Sequence, residues 1–472
     1  MGPSLVHDLV FAGQSLATAI GVMTIFWVFR SQGRPGTRAV ARVLPIWGST
    51  LLALLSLGVI AFELVSLKLS SPPQAFWDFL RAYYPAGQAA LHHDTAALKA
   101  LIGEGVSGGF VNIPVVAYLF APFAWLSPRI AAVLFTIIGV GLTVAAWFLL
   151  VRLARLERRE TWLLALLFLA NGPLLSGVKW ANISYFLVFF LAAGLALIRS
   201  KRSFAAGLLL GVAAVLKPAL VLFGIFFLLR RDLRGVFGFA LVGVATIACS
   251  LVLFGWGNNL YWLQTSILQY SHNWLPVSGN QSIPAFLVRL QAPPSILLDF
   301  SAKTPGVGDK LASQIINMLI FLIAAVACYR PLARARAGDA GDQASAAERC
   351  DLQYLLTICL CLVGSPLSWA HYYAWLLIPT AFFLGARSSS LASTPARVLG
   401  WTAIALVTPL VLWPQPAGDS SLAVLYASFV VSHHLFGGLL WFGLIAWCLA
   451  RSGGLLREVD RDPAGRTAPS IG

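Results

Sequence analysis

Asp78, Lys217, Arg289 and His371 are the residues of this chain whose types could do chemistry together. One carboxylate can take a proton, and three basic side chains can hold an anion. Asp and Glu number only 18 in 472 residues, so a carboxylate at the mouth of a helix bundle carries weight. Asp78 lies in the stretch Ala75-Phe76-Trp77-Asp78-Phe79-Leu80-Arg81-Ala82-Tyr83-Tyr84, shortly after a long apolar segment ends. The spacing suits a helix lying along a membrane surface. A plain structural reading has Asp78 capping that helix or pairing with Arg81. A chemical reading has it removing the proton of a hydroxyl that attacks an anionic lipid head group, while the cations steady the charge that departs.

The elements that must position these residues follow from composition. Hydrophobic residues make up 58% and charged residues 11%, with a mean hydropathy of +0.80. A soluble chain of this length needs more polar surface, so the fold is read as an all-α, polytopic membrane bundle. The apolar runs are continuous and of spanning length, unlike the short alternating segments of a barrel. The net charge of +15 sits in short clusters between apolar runs, the pattern of loops retained on the cytoplasmic side. No nucleic acid is implied. The six cysteines lie mostly in or beside apolar runs without zinc-ligand spacing, so neither metal nor disulfide is expected. There is no Walker A run, no G-x-S-x-G elbow and no HExxH, and no cofactor is expected.

Charge alternation orders the chain. Leu9 to Val28 and Trp47 to Leu67 are the first spans, with the N-terminus outside. The outer loop 68–128 then carries a helix from Asp78 to Leu91, a shorter one from Thr95 to Ile102, and a glycine-rich link from Gly103 to Gly109. Ile113 to Leu126, broken by Pro114 and Pro122, reads as re-entrant or interfacial. Further spans are read at Ala131–Leu150, Trp162–Leu175, Ile183–Ile198, Val236–Phe254, Leu311–Tyr329, Leu352–Val363, Tyr373–Leu384, Trp401–Leu412 and Leu435–Leu449. Ala205 to Leu229 has basic clusters at both ends and Lys217-Pro218 in its middle. Proline removes a helix hydrogen bond and disfavours helix at the preceding residue, so this stretch reads as a re-entrant hairpin with Lys217 at its tip. The second outer loop spans 255–310. The total is about eleven spans plus the hairpin, in one domain over 1–451 with a cytoplasmic tail at 452–472.

With this topology Asp78, Asn182, Lys217, Asn280, Arg289 and His371 face the outer half of the bundle. Ionisable groups at membrane depth usually line a polar cavity. Each also has a plain reading: Lys217 snorkels or meets a helix C-terminus, Arg289 is a loop cation, and His371 bonds at an interface.

Four patches then carry a resemblance. WDFLRAYYPAGQAAL begins at Trp77, AAGLLLGVAAVLKPALVLF at Ala205, GNQSIPAFLVRL at Gly279 and SPLSWAHYYAWLL at Ser365. In this order and topology the chain resembles glycosyltransferase family 87, within the C-type membrane glycosyltransferase superfamily. The resemblance implies an inverting enzyme that uses a polyprenyl-phosphate sugar, most often mannose and in some members arabinofuranose, with Asp78 as general base. The phosphate would be held by Lys217, Arg289 and His371. Arg81, Tyr84, Asn182, Asn280, Gln281, Ser282 and Trp369 would line the substrate cavity. The acceptor would be a glycolipid or glycan among the membrane lipids, on the periplasmic face of a bacterial inner membrane. Two departures bear on sugar and acceptor. Lys179-Trp180-Ala181-Asn182 stands where the family often has Gly-Gln-x-Asn, and Asn112 stands where a tyrosine is common ahead of Pro114. A lipid or glycolipid flippase with the same cavity, or an inactive scaffold for envelope-glycan assembly, would fit the same residues. Asp78→Asn separates them, since a transporter would tolerate it and an enzyme would not.

Overall fold

A computed structural model describes residues 76–336, 343–385, 391, 393–409 and 424–451. The expected spans at Leu9–Val28 and Trp47–Leu67, the tail 452–472, part of the link between the expected spans Leu311–Tyr329 and Leu352–Val363, and the end of Trp401–Leu412 lie outside the described residues. Among the described residues the chain is helical, and the only β pairings are two isolated bridges, Trp274–Lys303 and Asn280–Trp369. Among the described residues four helices are long and apolar enough to cross a membrane: Pro128–Leu153, Leu233–His272, Val307–Cys328 and His433–Arg451. A bent pair, Arg158–Ala170 and Gly172–Trp180, counts as a fifth if it is one span. Large side chains such as Ile137, Phe148, Val244, Val252, Met318 and Leu322 lie exposed along these helices, the surface a lipid-facing helix presents.

After a single π-helical turn at Phe79–Tyr83, α1 (Tyr84–Leu91) starts with a proline in its first turn, where the missing N–H costs nothing. Helix α2 (Thr95–Gly103) is capped by Asp94, whose side chain accepts from Ala97 N at 2.9 Å. Two short 3-10 turns, Pro114–Leu119 and Ala121–Trp125, follow at the two prolines. They press on α1 so closely that a Cβ on Gly87 would sit 2.5 Å from Phe120 O. Phe79, Tyr83, Phe120, Phe123 and Phe135 form the aromatic core beneath this layer.

Helix α3 (Pro128–Leu153) is one continuous helix of 26 residues. The next expected span, Trp162–Leu175, is instead two helices, α4 (Arg158–Ala170) and α5 (Gly172–Trp180), bent by 48°. The break has a local cause. Asn171 leaves helical conformation to cap α5, accepting from Leu174 N at 2.9 Å, and Pro173 lies in the new first turn. Helix α6 (Phe186–Arg199) follows a 3-10 turn at Ile183–Tyr185.

Helices α7 (Ser203–Leu216) and α8 (Leu222–Leu229) are separated at Lys217, whose extended backbone (φ −140, ψ 100) precedes Pro218. Both lie against α9 (Leu233–Trp262). A Cβ on Gly207 would meet Gly235 O at 2.2 Å, and one on Gly235 would meet Phe227 at 2.3 Å. One level nearer Lys217, Gly211 and Gly224 both contact Phe239. The two helices therefore run alongside one another in opposite directions. The ends away from Lys217 lie near α12: Arg199, at the end of α6 just before α7, pairs with Asp351, and Arg230, just after α8, donates from Nη1 to Gln353 Oε1 at 2.6 Å. Small residues make the backbone approach possible, as is usual where membrane helices pack closely.

Helix α9 breaks at Gly255 (φ 72), one residue after the expected end of its span, and continues helically to His272. Asn259 takes up the freed carbonyls, donating to Ser250 O at 3.0 Å and Gly255 O at 2.8 Å. Then come α10 (Ile283–Arg289), α11 (Val307–Arg336), α12 (Gln343–Val363), α13 (Leu377–Gly385) after a 3-10 run at Ala370–Leu376, α14 (Thr394–Val407) and α15 (His433–Arg451). Cys350, Cys359, Cys361 and Cys448 are buried and free.

Candidate active site

Two chain segments far apart in sequence meet at Asp78. Asn182 donates from Nδ2 to Asp78 Oδ2 at 2.5 Å, and the amide of Phe76 donates to Lys179 O at 2.7 Å. The side chain of Asp78 makes no cap bond to its own helix. Arg81 does not pair with it either; its guanidinium lies over the Trp77 ring, 4.5 Å from the centroid. Neither plain structural role expected for Asp78 is therefore present. Its second oxygen, Oδ1, accepts no hydrogen bond from a described residue.

Burial raises the Asp78 carboxyl above its ordinary value, against the pull of the Asn182 hydrogen bond and of the charge on Lys217. That lysine reaches the site because α7 ends there. Pro218 disfavours helix at Lys217, and Asn112 Nδ2 donates to the carbonyl of Leu216 at 2.8 Å, fixing the helix end to the segment ahead of Pro114. The ammonium rests 4.8 Å from the centroid of the Tyr372 ring. His371 is next to it, 8% exposed, with Nε2 buried and unpartnered. Burial first, and the charge on Lys217 second, hold His371 well below its ordinary value. It is neutral at neutral pH, whereas sequence reasoning counted it among the cations. Beside Asp78, then, stands one cation, Lys217, with a neutral imidazole beyond it.

The remaining expected residues sit elsewhere in the assembly. Arg289, the last residue of α10, is fully buried, and its guanidinium reaches the loop ahead of that helix. Its Nη1 donates to the carbonyls of Pro276, Val277 and Asn280, and its Nη2 to Ser432 Oγ at 2.9 Å. Asn280 donates to Leu275 O at 2.8 Å and accepts from Ser368 N at 3.0 Å. Gln281 donates to Ser278 O and Val431 O, and Ser282 caps α10. The 279–282 run is zipped to 368–370 by Gln281 N to Ser368 O and Ala370 N to Gly279 O. Trp369 lies over Gly279, where a Cβ would be 3.1 Å from the indole. This junction holds the strand of chain that presents His371 and Tyr372. Tyr84 donates to Leu126 O at 2.8 Å, between α1 and the residues just before α3.

Sequence reasoning missed Tyr372, Tyr83, Ser184 and Trp375. Tyr83 and Tyr372 both feel the Asp78 charge. Ser184 donates to Asn182 Oδ1 from N at 3.0 Å and from Oγ at 2.6 Å, and Trp375 Nε1 donates to Ser184 O at 3.0 Å. The first tyrosine of the Ala370-His371-Tyr372-Tyr373 run was a usable signal; Ser184 left none. No three His, Cys, Asp or Glu side chains converge as a metal site among the described residues.

The family model described as Glycosyltransferase family 87 matches residues 110–347. Two similar proteins are each named a polyprenol-phosphate-mannose-dependent alpha-(1-2)-phosphatidylinositol mannoside mannosyltransferase. The one from Mycolicibacterium smegmatis is 27% identical over 69% of this chain and 76% of its own length. The one from Mycobacterium tuberculosis is 27% identical over 67% of this chain and 74% of its own length. A third, a pentamannoside mannosyltransferase of Mycolicibacterium smegmatis, is 28% identical over 64% of this chain and 67% of its own length. No solved structure matches the chain.

Proposed function

The chain belongs to glycosyltransferase family 87, and from that premise we propose that it moves a mannosyl unit from a polyprenyl phosphate to a hydroxyl of a mannosylated glycolipid, with Asp78 as general base. The observation that carries this reading is the state of the Asp78 carboxylate. One oxygen is held by Asn182, the other takes no bond from a described residue, a lysine stands alongside, and a neutral histidine lies next to that lysine. The donor and the kind of acceptor follow the names of the relatives.

In this mechanism the acceptor O–H gives its proton to Asp78 as its oxygen attacks the anomeric carbon. The attack comes from the face opposite the phosphate, so configuration inverts. The anomeric C–O bond breaks and its electron pair leaves on the phosphate. A phosphate needs no general acid to depart, so one carboxylate suffices. Lys217 takes up the growing negative charge, and His371 donates a neutral hydrogen bond to the same group. Arg289, whose Nη atoms are committed to loop carbonyls and Ser432, acts by framing the 276–282 junction. Arg81, on the exposed side of Trp77, faces the anionic surface of the substrate lipids.

We read α7 and α8 as a re-entrant hairpin that brings Lys217 to the outer half of the membrane. The full chain is a multi-pass protein of about eleven spans, with its site on the periplasmic side of a bacterial inner membrane and its C-terminus cytoplasmic. The experiment is transfer of labelled mannose from polyprenyl-phosphate-mannose to phosphatidylinositol mannosides by purified protein, with Asp78→Asn alongside. Transfer by the native protein alone supports the reading. Equal transfer by both forms removes Asp78 as base.

A further inference from the structure

We propose that Asn182 is the positioning residue of the general base, clamping one oxygen of Asp78 so that the other is presented to the acceptor hydroxyl, and that Ser184 sets the clamp. The proposal rests on Asp78 being the base.

An asparagine amide has a donor end and an acceptor end, and which of them faces a carboxylate decides whether the contact attracts or repels. Here the choice is forced. The N–H and the hydroxyl of Ser184 both donate to Asn182 Oδ1, at 3.0 and 2.6 Å. The reversed amide would aim its NH₂ at two donors and its oxygen at a carboxylate. Ser184 is fully buried, and its carbonyl is held by the indole N–H of the fully buried Trp375. A single side chain thus caps the Ile183–Tyr185 turn with its oxygen and grips Asp78 with its nitrogen.

Backbone strain converges on the same contact from both sides. Phe76 (φ 58) and Ala181 (φ 47) are non-glycine residues in the left-handed region, a conformation that costs on the order of 1–2 kcal/mol each. Ala181 ends α5 and turns Asn182 out of the helix, with Asn182 N donating to Gly177 O at 2.9 Å. Phe76 is the residue whose N–H ties the Asp78 turn to Lys179 O. The two strained residues therefore flank the two bonds that join the Asp78 segment to the 179–182 corner.

The clamp has two effects on the base. It favours the ionised carboxylate against the burial that disfavours it. It also leaves Oδ1 as the oxygen that receives the proton. The groups facing Asp78 are Lys217 from the α7–α8 break, Tyr83 from its own helix and Tyr372 from the run before α13, with His371 beyond Lys217. Both tyrosines are uncharged at neutral pH, and Lys217 is common to every variant below.

The test is the pH profile of kcat, with KM for donor, for Asn182→Ala, Ser184→Ala and Ser184→Thr, assayed with polyprenyl-phosphate-mannose and phosphatidylinositol mannosides. Losing one hydrogen bond to the charged form moves the acid limb of Asn182→Ala upward by about one pH unit. It lowers kcat at neutral pH roughly tenfold to a hundredfold, with donor KM unchanged. Ser184→Ala, which keeps the N–H bond to Oδ1, moves the limb less and in the same direction, and Ser184→Thr restores it. Should Asn182→Ala not fold, the Ser184 pair decides alone. An unmoved acid limb in Asn182→Ala and Ser184→Ala, with Asp78→Asn inactive, overturns the clamp and keeps the base. A rise in KM alone makes Asn182 a substrate contact. Activity in Asp78→Asn overturns the underlying reading instead.

Discussion

The ammonium of Lys217 lies 4.8 Å from the centroid of the Tyr372 ring, and its side chain makes no hydrogen bond or ion pair with a described residue. An aromatic face holds a cation without neutralising it, so the charge remains available to an arriving phosphate. The contact itself is worth about 0.5–2 kcal/mol. Tyr372→Phe keeps the ring and is expected to bind donor as the native protein does. Tyr372→Leu loses it and should weaken donor binding by roughly fivefold, read by titration of polyprenyl-phosphate-mannose.

Lys217 also acts on Asp78. Its positive charge opposes the burial that raises the carboxyl. A base works only when ionised, so activity is lost as pH falls through the Asp78 value, and that loss begins above the range of an ordinary carboxylate. Lys217→Met removes the stabilising charge and should move the acid limb up by about one unit. A limb that moved down, or stayed, would separate Lys217 from Asp78.

Arg289 serves the loop junction in this account. Arg289→Lys keeps a charge but cannot reach four acceptors at once. Leaving buried carbonyls of Pro276, Val277 and Asn280 unpaired costs about 1–3 kcal/mol each. The expected outcome is a lower melting temperature in detergent, with donor affinity nearly native in the protein that remains folded. Unchanged stability with a tenfold loss of donor affinity would make the guanidinium a phosphate ligand.

The α7–α9 contact is a backbone contact. Gly207→Ala places a Cβ 2.2 Å from Gly235 O, and the required shift should cost about 1–3 kcal/mol. Because the same helix ends at Lys217, donor binding should weaken along with thermal stability. A native melting temperature would contradict the packing.

These relationships were unequally legible in the sequence. The break at Lys217-Pro218 could be read directly, because proline acts on its own helix and its neighbour. Asp78 stood out because acids are rare in this chain. The grip of Asn182 on Asp78 could not be read, since the two are 104 residues apart and no periodicity links them. The resemblance implied Asn280, Gln281 and Ser282 as substrate ligands, and the sequence does not display their structural bonds. In the fold Asn280 and Gln281 bond the Ser368–Ala370 segment and nearby carbonyls, and Ser282 caps α10, which is equally good use of a buried amide or hydroxyl. The bend at Asn171 was hidden because the apolar run continues through it, and only the capping geometry of Asn171 reveals it.

The most direct test of the central claim compares native protein with Asp78→Asn, measuring donor binding and mannose transfer on the same samples. The account predicts that Asp78→Asn binds polyprenyl-phosphate-mannose within a few-fold of the native protein and transfers none of its sugar. Mannose transfer by Asp78→Asn at the native rate would contradict it.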